Sequence, residues 1–207
     1  MQSWEVINKV RKMSVNSAKK IVAINGSHRP KGNTFQLIEM VFTAIKEEDN
    51  TVETELIQLA GKTVNTCLSC YKCVKNRDNR CIQNDDLNQI YAKMVEADAI
   101  IFGAPVYFGD APGKMRSFIE RTGMVAMFNN RAFKRKIGAI VIAKRRQGGI
   151  QALNTVNFLL YISEMIIVGY AMGIGTYPGE VQKDSEGKND MKSLGENIAW
   201  LLNKIHN

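Results

Sequence analysis

The chain has 207 residues, 45% of them hydrophobic and 23% charged, which suits one globular domain and excludes a disordered chain. Its 28 basic and 20 acidic side chains give a net charge of +8, so the surface attracts anionic partners. No aromatic-interleaved basic stripe or nucleic-acid motif accompanies this charge, and we expect no nucleic-acid partner.

One apolar run, residues 158–175, resembles a membrane-spanning segment in composition. It holds Glu164 and ends in glycines, so a buried helix that runs into a buried strand explains it better. The N-terminal residues have no long apolar core and no cleavage site, and we expect no secretory signal. We therefore expect no membrane partner and a cytoplasmic location, in which the four cysteines stay reduced.

Strands and helices alternate along the predicted chain. Residues 1–18 are expected to form an N-terminal arm or short helix, and residues 19–207 one domain with a cysteine-bearing insertion at 61–83. The predicted strands are Lys19–Asn25, Glu53–Leu59, Asp98–Gly103, Lys136–Ala143 and residues 165–173. The predicted helices follow Thr34 and Asp85 or Asp86, span 112–128 and 149–164, and close with Lys192–Lys204.

The central strands are continuous apolar runs, which indicates a parallel sheet covered by helices on both faces. Five such strands fit a doubly wound α/β sheet of order 2-1-3-4-5, the flavodoxin-like arrangement. Ligands of such sheets bind beyond the carboxyl ends of the strands, where the strand order reverses. We therefore expect the functional loops to follow strands one and three.

The loop Gly26–Thr34 joins the first strand to the first helix. Backbone amides at that helix start, together with the helix dipole, favour an anion. Ser27, Asn33 and Thr34 add hydroxyl and amide donors, and Arg29 offers a forked cation. The sequence holds neither a dinucleotide fingerprint nor a triphosphate loop here. A plain turn with capping residues is the alternative.

All four cysteines lie within fifteen positions, as Cys67-x2-Cys70-x2-Cys73-x7-Cys81. The spacing is similar to that of bacterial ferredoxin loops and favours a [4Fe–4S] cluster, since thiolate-only ligation suits iron. Structural zinc usually takes its cysteines as two separated pairs. Zinc and free thiols remain the alternatives. Because this segment follows strand two, we expect it on the same rim of the sheet as the loops after strands one and three.

The segment Ala104–Gly109 follows strand three and offers aromatic surface beside a rigid proline. A flavin needs this mixture of apolar contact and fixed backbone groups, although simple packing at the domain edge would also explain it. Other charged residues have simpler explanations. Asp85 and Asp86 are expected to cap a helix, and Glu120 and Arg121 to lie on a helix surface.

Three loop motifs carry a family resemblance: G-S-x-R-x-x-G-N-T, P-V-Y-F-G and G-G after strands one, three and four. With them, residues 20–175 resemble NAD(P)H-dependent FMN reductases, in particular the iron–sulfur flavoproteins. The resemblance implies that FMN carries the chemistry, with no catalytic side chain. It assigns the phosphate to Ser27, Arg29, Asn33 and Thr34, the flavin ring to Pro105, Val106, Tyr107, Phe108 and Gly109, and the rest of the pocket to Gly148 and Gly149. It assigns a [4Fe–4S] cluster to Cys67, Cys70, Cys73 and Cys81.

The same resemblance implies an electron-transfer oxidoreductase. Electrons would pass between a ferredoxin-like donor or NAD(P)H, the cluster, FMN and an acceptor, in a homodimer or homotetramer. A basic surface suits an acidic ferredoxin. The third loop departs from the family pattern, since it is more basic and has Ile150 where glutamine is expected. Two alternatives stay open: a cluster-free NAD(P)H-dependent FMN or quinone reductase, and a non-catalytic redox-sensing or zinc-bound module.

Overall fold

The computed structural model describes residues 18–206. The predicted N-terminal arm thus lies outside the described residues, except for Ala18. The strands are β1 Lys20–Asn25, β2 Glu53–Gln58, β3 Ala99–Pro105, β4 Ile137–Lys144 and β5 Ile166–Ile174. The helices are α1 Asn33–Glu48, α2 Lys72–Asn76, α3 Leu87–Glu96, α4 Gly113–Phe128, α5 Gly149–Ile162 and α6 Ser185–His206, with a 3-10 helix at Glu180–Lys183.

The five strands form one sheet of order β2-β1-β3-β4-β5, with every neighbouring pair parallel. This confirms the predicted flavodoxin-like α/β fold. The prediction succeeded because β3 is buried at every residue and β4 at all but its last, so both strands are apolar on both faces.

Each face of the sheet carries its own apolar core. Along β3, Ile100 and Phe102 pack into one core, whereas Ile101 packs into the other. Helices α3, α4 and α5 cover the first face, and α1 and α6 cover the second. The loops that follow β1, β3 and β4 are therefore anchored on a sheet that is packed on both faces. No helix within residues 18–206 has the length and apolar character needed to cross a membrane.

Two sequence predictions about the last elements were wrong. β5 is not a buried strand: it pairs only with β4, and Ile167 and Tyr170 are 42% and 55% exposed. The closing helix begins at Ser185 instead of Lys192. The carboxylate of Asp184 accepts a hydrogen bond from the Gly187 amide at 3.0 Å, and such capping starts the helix before its apolar residues do.

Candidate functional site

The first loop, residues 26–32, is held tightly against β3. The Gly26 amide donates to the Gly103 carbonyl at 2.8 Å, and a Cβ on Gly26 would lie 3.0 Å from Met115. The buried Ser27 hydroxyl accepts from the Arg29 amide at 3.1 Å. These contacts fix the backbone that leads into α1.

Thr34 occupies the first turn of α1 and is 1% exposed. Its hydroxyl has no hydrogen-bond partner, and the preceding Gly32 supplies no side-chain cap. Buried hydroxyls are nearly always hydrogen-bonded, so an unpaired one indicates a position where a ligand atom could bind. Because the amides of a first helical turn also lack partners, this corner is suited to an anion.

Arg29 and Asn33 play different parts in this corner. Arg29 is exposed, and its guanidinium makes no ion pair with any residue of 18–206. The Asn33 side-chain carbonyl instead accepts from the Gly179 amide at 2.8 Å, and its amide nitrogen lies 2.7 Å from where a Cβ on Gly175 would be. Asn33 thus ties the segment after β5 to the first loop, a role that the sequence did not indicate.

The second loop, residues 106–111, contains a tight turn between Tyr107 and Asp110. The Tyr107 amide donates to the Asp110 carbonyl at 2.8 Å. Phe108 and Gly109 both have positive φ angles, 48° and 91°, an unfavourable conformation for phenylalanine. The turn leaves the Phe108 ring fully exposed. The chain therefore presents an aromatic side chain on a strained backbone at the carboxyl end of β3.

Asp110 clamps this turn to two helices. Its carboxylate accepts from the Thr155 hydroxyl at 2.8 Å and pairs with Arg116 at 2.9 Å. Burial works against the charged form, but the Thr155 and Ala111 hydrogen bonds and the Arg116 charge outweigh it and lower the pKa of Asp110. The ionised carboxylate is thus the form that holds the second loop in place.

The third loop, residues 145–148, packs directly on the second. Gly148 has a φ of 80°, and a Cβ there would lie 2.6 Å from the Gly109 carbonyl oxygen and 2.8 Å from Val106. Only glycine satisfies both constraints. A Cβ on Gly149 would lie 2.9 Å from the Lys144 side chain. Of the two predicted glycines, Gly148 therefore contacts the second loop, whereas Gly149 contacts Lys144 and Met172.

One cleft gathers most of the residues predicted for the ligand. It is lined by Ser27, Arg29, Asn33, Thr34, Pro105, Val106 and Tyr107, and also by Ala143, Lys144, Arg145, Gly175, Thr176 and Pro178. The last three follow β5 and were missed by sequence reasoning. The Ser27 and Tyr107 hydroxyls lie 3.4 Å apart, so the first and second loops meet. The cleft volume of about 190 Å³ is below the 300–1,000 Å³ of typical ligand pockets.

The four cysteines lie in the segment between β2 and α3 and are all free. Cys73 and Cys81 pack against the core, whereas Cys70 is exposed. Burial raises the pKa of the Cys73 thiol, and the charges of Cys81 and Cys67 raise it further. Within residues 18–206, no three histidine, cysteine or acidic side chains are assembled as a metal-binding group.

Two buried or half-buried asparagines hold the cysteine segment through its backbone. Asn88 accepts from the Cys81 amide at 2.8 Å and donates to its carbonyl at 2.9 Å. Asn129 accepts from the Asn79 amide at 2.8 Å and donates to the Cys73 carbonyl at 3.4 Å. Neither asparagine was identified from the sequence, because an isolated amide in a helical region carries no distinctive pattern.

Arg121 was predicted on a helix surface, and this was wrong: its side chain and that of Asp85 are each 1% exposed. The two form a forked ion pair, with Nη1–Oδ2 at 2.5 Å and Nη2–Oδ1 at 3.0 Å. Asp85 also accepts from the Asn65 amide at 3.1 Å, and Asp86 from the Thr63 amide at 2.7 Å. The two aspartates thus anchor the cysteine segment more than they cap α3.

The cysteine segment does not stay on the rim that the sequence indicated. It starts there, since the Leu59 amide donates to the Asn25 carbonyl at 2.9 Å. Asn129, which binds the Cys73 carbonyl, directly follows the last residue of α4. The second loop precedes the first residue of that helix. A helix of 16 residues is about 24 Å long, so Cys73 and the second loop lie at opposite ends of α4.

A family model described as NADPH-dependent FMN reductase matches residues 19–179. An iron–sulfur flavoprotein of Methanocaldococcus jannaschii is 35% identical over 199 residues, which cover 90% of this chain and 98% of that protein. The chain belongs to the NADPH-dependent FMN reductase family, in its iron–sulfur flavoprotein branch. This member is therefore a flavin-dependent oxidoreductase that uses FMN.

Two solved structures resemble this FMN reductase family member in fold. RosB, determined with 8-demethyl-8-formylriboflavin-5'-phosphate, has a TM-score of 0.72 at 16% identity, covering 91% of this chain and 80% of RosB. A flavodoxin from the domain Archaea has a TM-score of 0.56 at 18% identity, covering 89% and 99%. At these identities, the likeness concerns the fold of the flavoprotein alone.

Proposed function

We propose that this flavoprotein transfers electrons between a one-electron donor, a [4Fe–4S] cluster held by its cysteine segment, FMN and an acceptor. One observation carries the proposal. In the described part of the chain, three buried side-chain polar atoms lack a partner: Thr34 Oγ1, Tyr91 OH and Arg121 Nε. The first lines the cleft, and the other two lie on α3 and α4, which bind the cysteine segment through Asn88 and Arg121. FMN in the cleft and a cluster on the cysteine segment would give all three atoms a partner.

For FMN, the residues of the first loop would hold the phosphate. Thr34 and the first-turn amides of α1 would donate to it, and Arg29 would add its charge. Ser27 and Asn33 would complete the donor set while keeping the loop and the segment after β5 in place.

The other two loops would carry the flavin ring. Its apolar and backbone contacts would come from Pro105, Val106, Tyr107, Phe108 and Gly109. Gly148 and Gly149 have no side chain, which would allow the third loop to approach the ring. The ionised Asp110 orients this surface through Thr155 and Arg116.

For the cluster, Cys67, Cys70, Cys73 and Cys81 would be the ligands. An all-thiolate donor set suits iron, and a bound cluster would supply one-electron transfer to the flavin. Unpaired donors are available nearby, since Arg121 and Tyr91 each have one and lie on the helices that bind the cysteine segment. The asparagine anchors bind only the backbone, so the thiol groups stay available.

Anaerobic purification followed by iron, sulfide and flavin analysis tests both cofactors. We expect FMN, not FAD, because the cleft offers one phosphate corner and the sequence no dinucleotide fingerprint. We also expect iron and sulfide, and Cys73→Ala should lose both while retaining FMN. FMN without iron or sulfide would instead support the cluster-free NAD(P)H-dependent reductase. Metal without visible absorbance beyond flavin would support a zinc-bound module.

The donor would be a ferredoxin-like protein or NAD(P)H. Support for the protein donor comes from the net charge of +8 and from Arg29, Lys144 and Arg145 around the cleft, because such a surface accelerates encounter with an acidic partner. Reduction by an acidic ferredoxin should then slow steeply with ionic strength. A rate independent of salt would argue for the nicotinamide.

We also propose a homodimer or homotetramer that works in the cytoplasm. Ile150, Tyr170 and Ile174 line one surface depression beside β5 and are 51–60% exposed, and apolar surface on an edge strand favours burial against another copy. The cleft is smaller than a typical ligand pocket, so a neighbouring copy would complete the cover of a bound flavin. Light scattering should show the oligomer, and a monomer at micromolar concentration would contradict it. Free thiols fit a reducing compartment.

A further inference from the structure

Arg121 is the largest side chain that the described part of the protein buries completely. Its two terminal nitrogens bind the Asp85 carboxylate, and Nη1 also donates to the Asn65 carbonyl at 3.3 Å. The third nitrogen, Nε, has no partner. Asn65 lies two positions before Cys67, and Asp85 lies four positions after Cys81. A buried cation with one unpaired donor therefore contacts both ends of the segment that carries the predicted cluster ligands.

Stability alone does not explain this arrangement. Replacing a buried ion pair by apolar side chains of similar volume is often neutral or stabilising, because desolvation of both charges offsets their attraction. The buried Nε–H also loses its hydrogen bonds to water and gains none within the described residues, which is a further cost to stability. Arg121 and Asp85 could hold the cysteine segment as an exposed pair without either penalty.

The neighbouring helix provides a second, independent observation. Tyr91 of α3 is 1% exposed, and its hydroxyl also lacks a partner. Cys73 packs against the same apolar core, and Asn88, one helical turn before Tyr91, binds the Cys81 backbone. Two helices that hold the cysteine segment thus each carry one unpaired buried donor.

Resting on the proposed function, we propose that Arg121 and Tyr91 are positioning residues that set the reduction potential of the cluster. Arg121 would donate through Nε to the Cys81 sulfur, and Tyr91 would donate on the side of Cys73. When the cluster takes one electron from the donor, its charge becomes more negative by one unit and no bond forms or breaks. A buried cation and hydrogen bonds to sulfur favour that reduced form, so they raise the potential.

Redox titration of the loaded protein, with the reduced cluster followed by electron paramagnetic resonance, tests this proposal. The double variant Arg121→Gln with Asp85→Asn removes both charges and leaves no unpaired ion, and Tyr91→Phe removes only the hydroxyl. In the double variant, we expect at least a tenfold fall in the equilibrium constant for one-electron reduction, a shift of about 59 mV to lower potential. Tyr91→Phe should shift the potential in the same direction, and the FMN potential should stay unchanged in both.

Lys192→Gln is the matched charge control, because Lys192 lies on α6, on the opposite face of the sheet, with its side chain 63% exposed. It should leave the cluster potential unchanged. Unaltered potentials in the double variant and in Tyr91→Phe would overturn the inference and leave the proposed function intact. If the double variant does not fold, Tyr91→Phe decides alone. Wild-type protein without iron and sulfide after anaerobic purification would instead refute the proposed cluster.

Discussion

Replacing Thr34 by valine should weaken FMN binding and at the same time stabilise the protein without FMN. The Thr34 hydroxyl is buried and unpaired, which costs about 1–3 kcal/mol in the FMN-free state. Valine keeps the β-branched shape and removes the hydroxyl, so that penalty disappears. In the complex, the variant loses a hydrogen bond to a charged phosphate, about 1.5–3 kcal/mol, or about tenfold to hundredfold in Kd.

Flavin fluorescence titration gives the affinity, and urea unfolding of the flavin-free protein gives the stability. Riboflavin, which has no phosphate, should bind the variant and the wild type equally. Thr43→Val is the matched control on the same helix: Thr43 is exposed, and its hydroxyl donates to the Glu39 carbonyl at 2.9 Å. It should leave FMN binding unchanged. An unaltered FMN affinity in Thr34→Val, or an equal loss for riboflavin, would refute the assignment of this corner to the phosphate.

Three further predictions concern the same cleft. Arg29→Ala should lower FMN affinity about tenfold to hundredfold without changing the melting temperature, since Arg29 makes no ion pair within residues 18–206; an unchanged titration curve would contradict it. Gly148→Ala should lower both stability and FMN affinity because of its contact with Gly109, whereas Gly61→Ala, with a similar φ of 77° and open space around it, should lower stability alone. The pKa of the Asp110 carboxyl is lowered in the folded protein. The ionised group therefore stabilises the protein at pH values above its unfolded pKa of about 3.9, and this contribution is lost as the pH falls through the folded pKa. The stability difference between wild type and Asp110→Asn in urea unfolding should therefore shrink on acidification, and a constant difference would argue against the clamp.

The sheet order and the loops that line the cleft could be predicted because both follow from local sequence. β3 and β4 are apolar at nearly every position, and the first and second loops directly follow β1 and β3. Chain order alone then brings Ser27 and Tyr107 to the same edge of the sheet. Such local patterns can be recognised without knowing which distant residues are in contact.

The interactions around the cysteines could not be predicted because they join residues far apart in the chain. Asp85 and Arg121 are 36 positions apart, and Asn79 and Asn129 are 50 apart. An arginine on an amphipathic helix is most often exposed, so nothing in the sequence marks Arg121 as buried. The segment after β5, which completes the cleft through Thr176, was missed because short connections carry no periodic signal.

Helix α4 contacts both the second loop and the cysteine segment along a single helical segment. Arg116, in its first turns, pairs with Asp110 of the second loop, Arg121 follows in the middle, and Asn129 binds the cysteine segment just beyond its end. Inserting one residue into a helix rotates everything after it by about 100° and advances it by about 1.5 Å. One insertion ahead of Arg121 would therefore swing both Arg121 and Asn129 away from their partners at once. In this protein, a change in the length of this helix would therefore disturb more contacts than a change in the length of a loop that it supports.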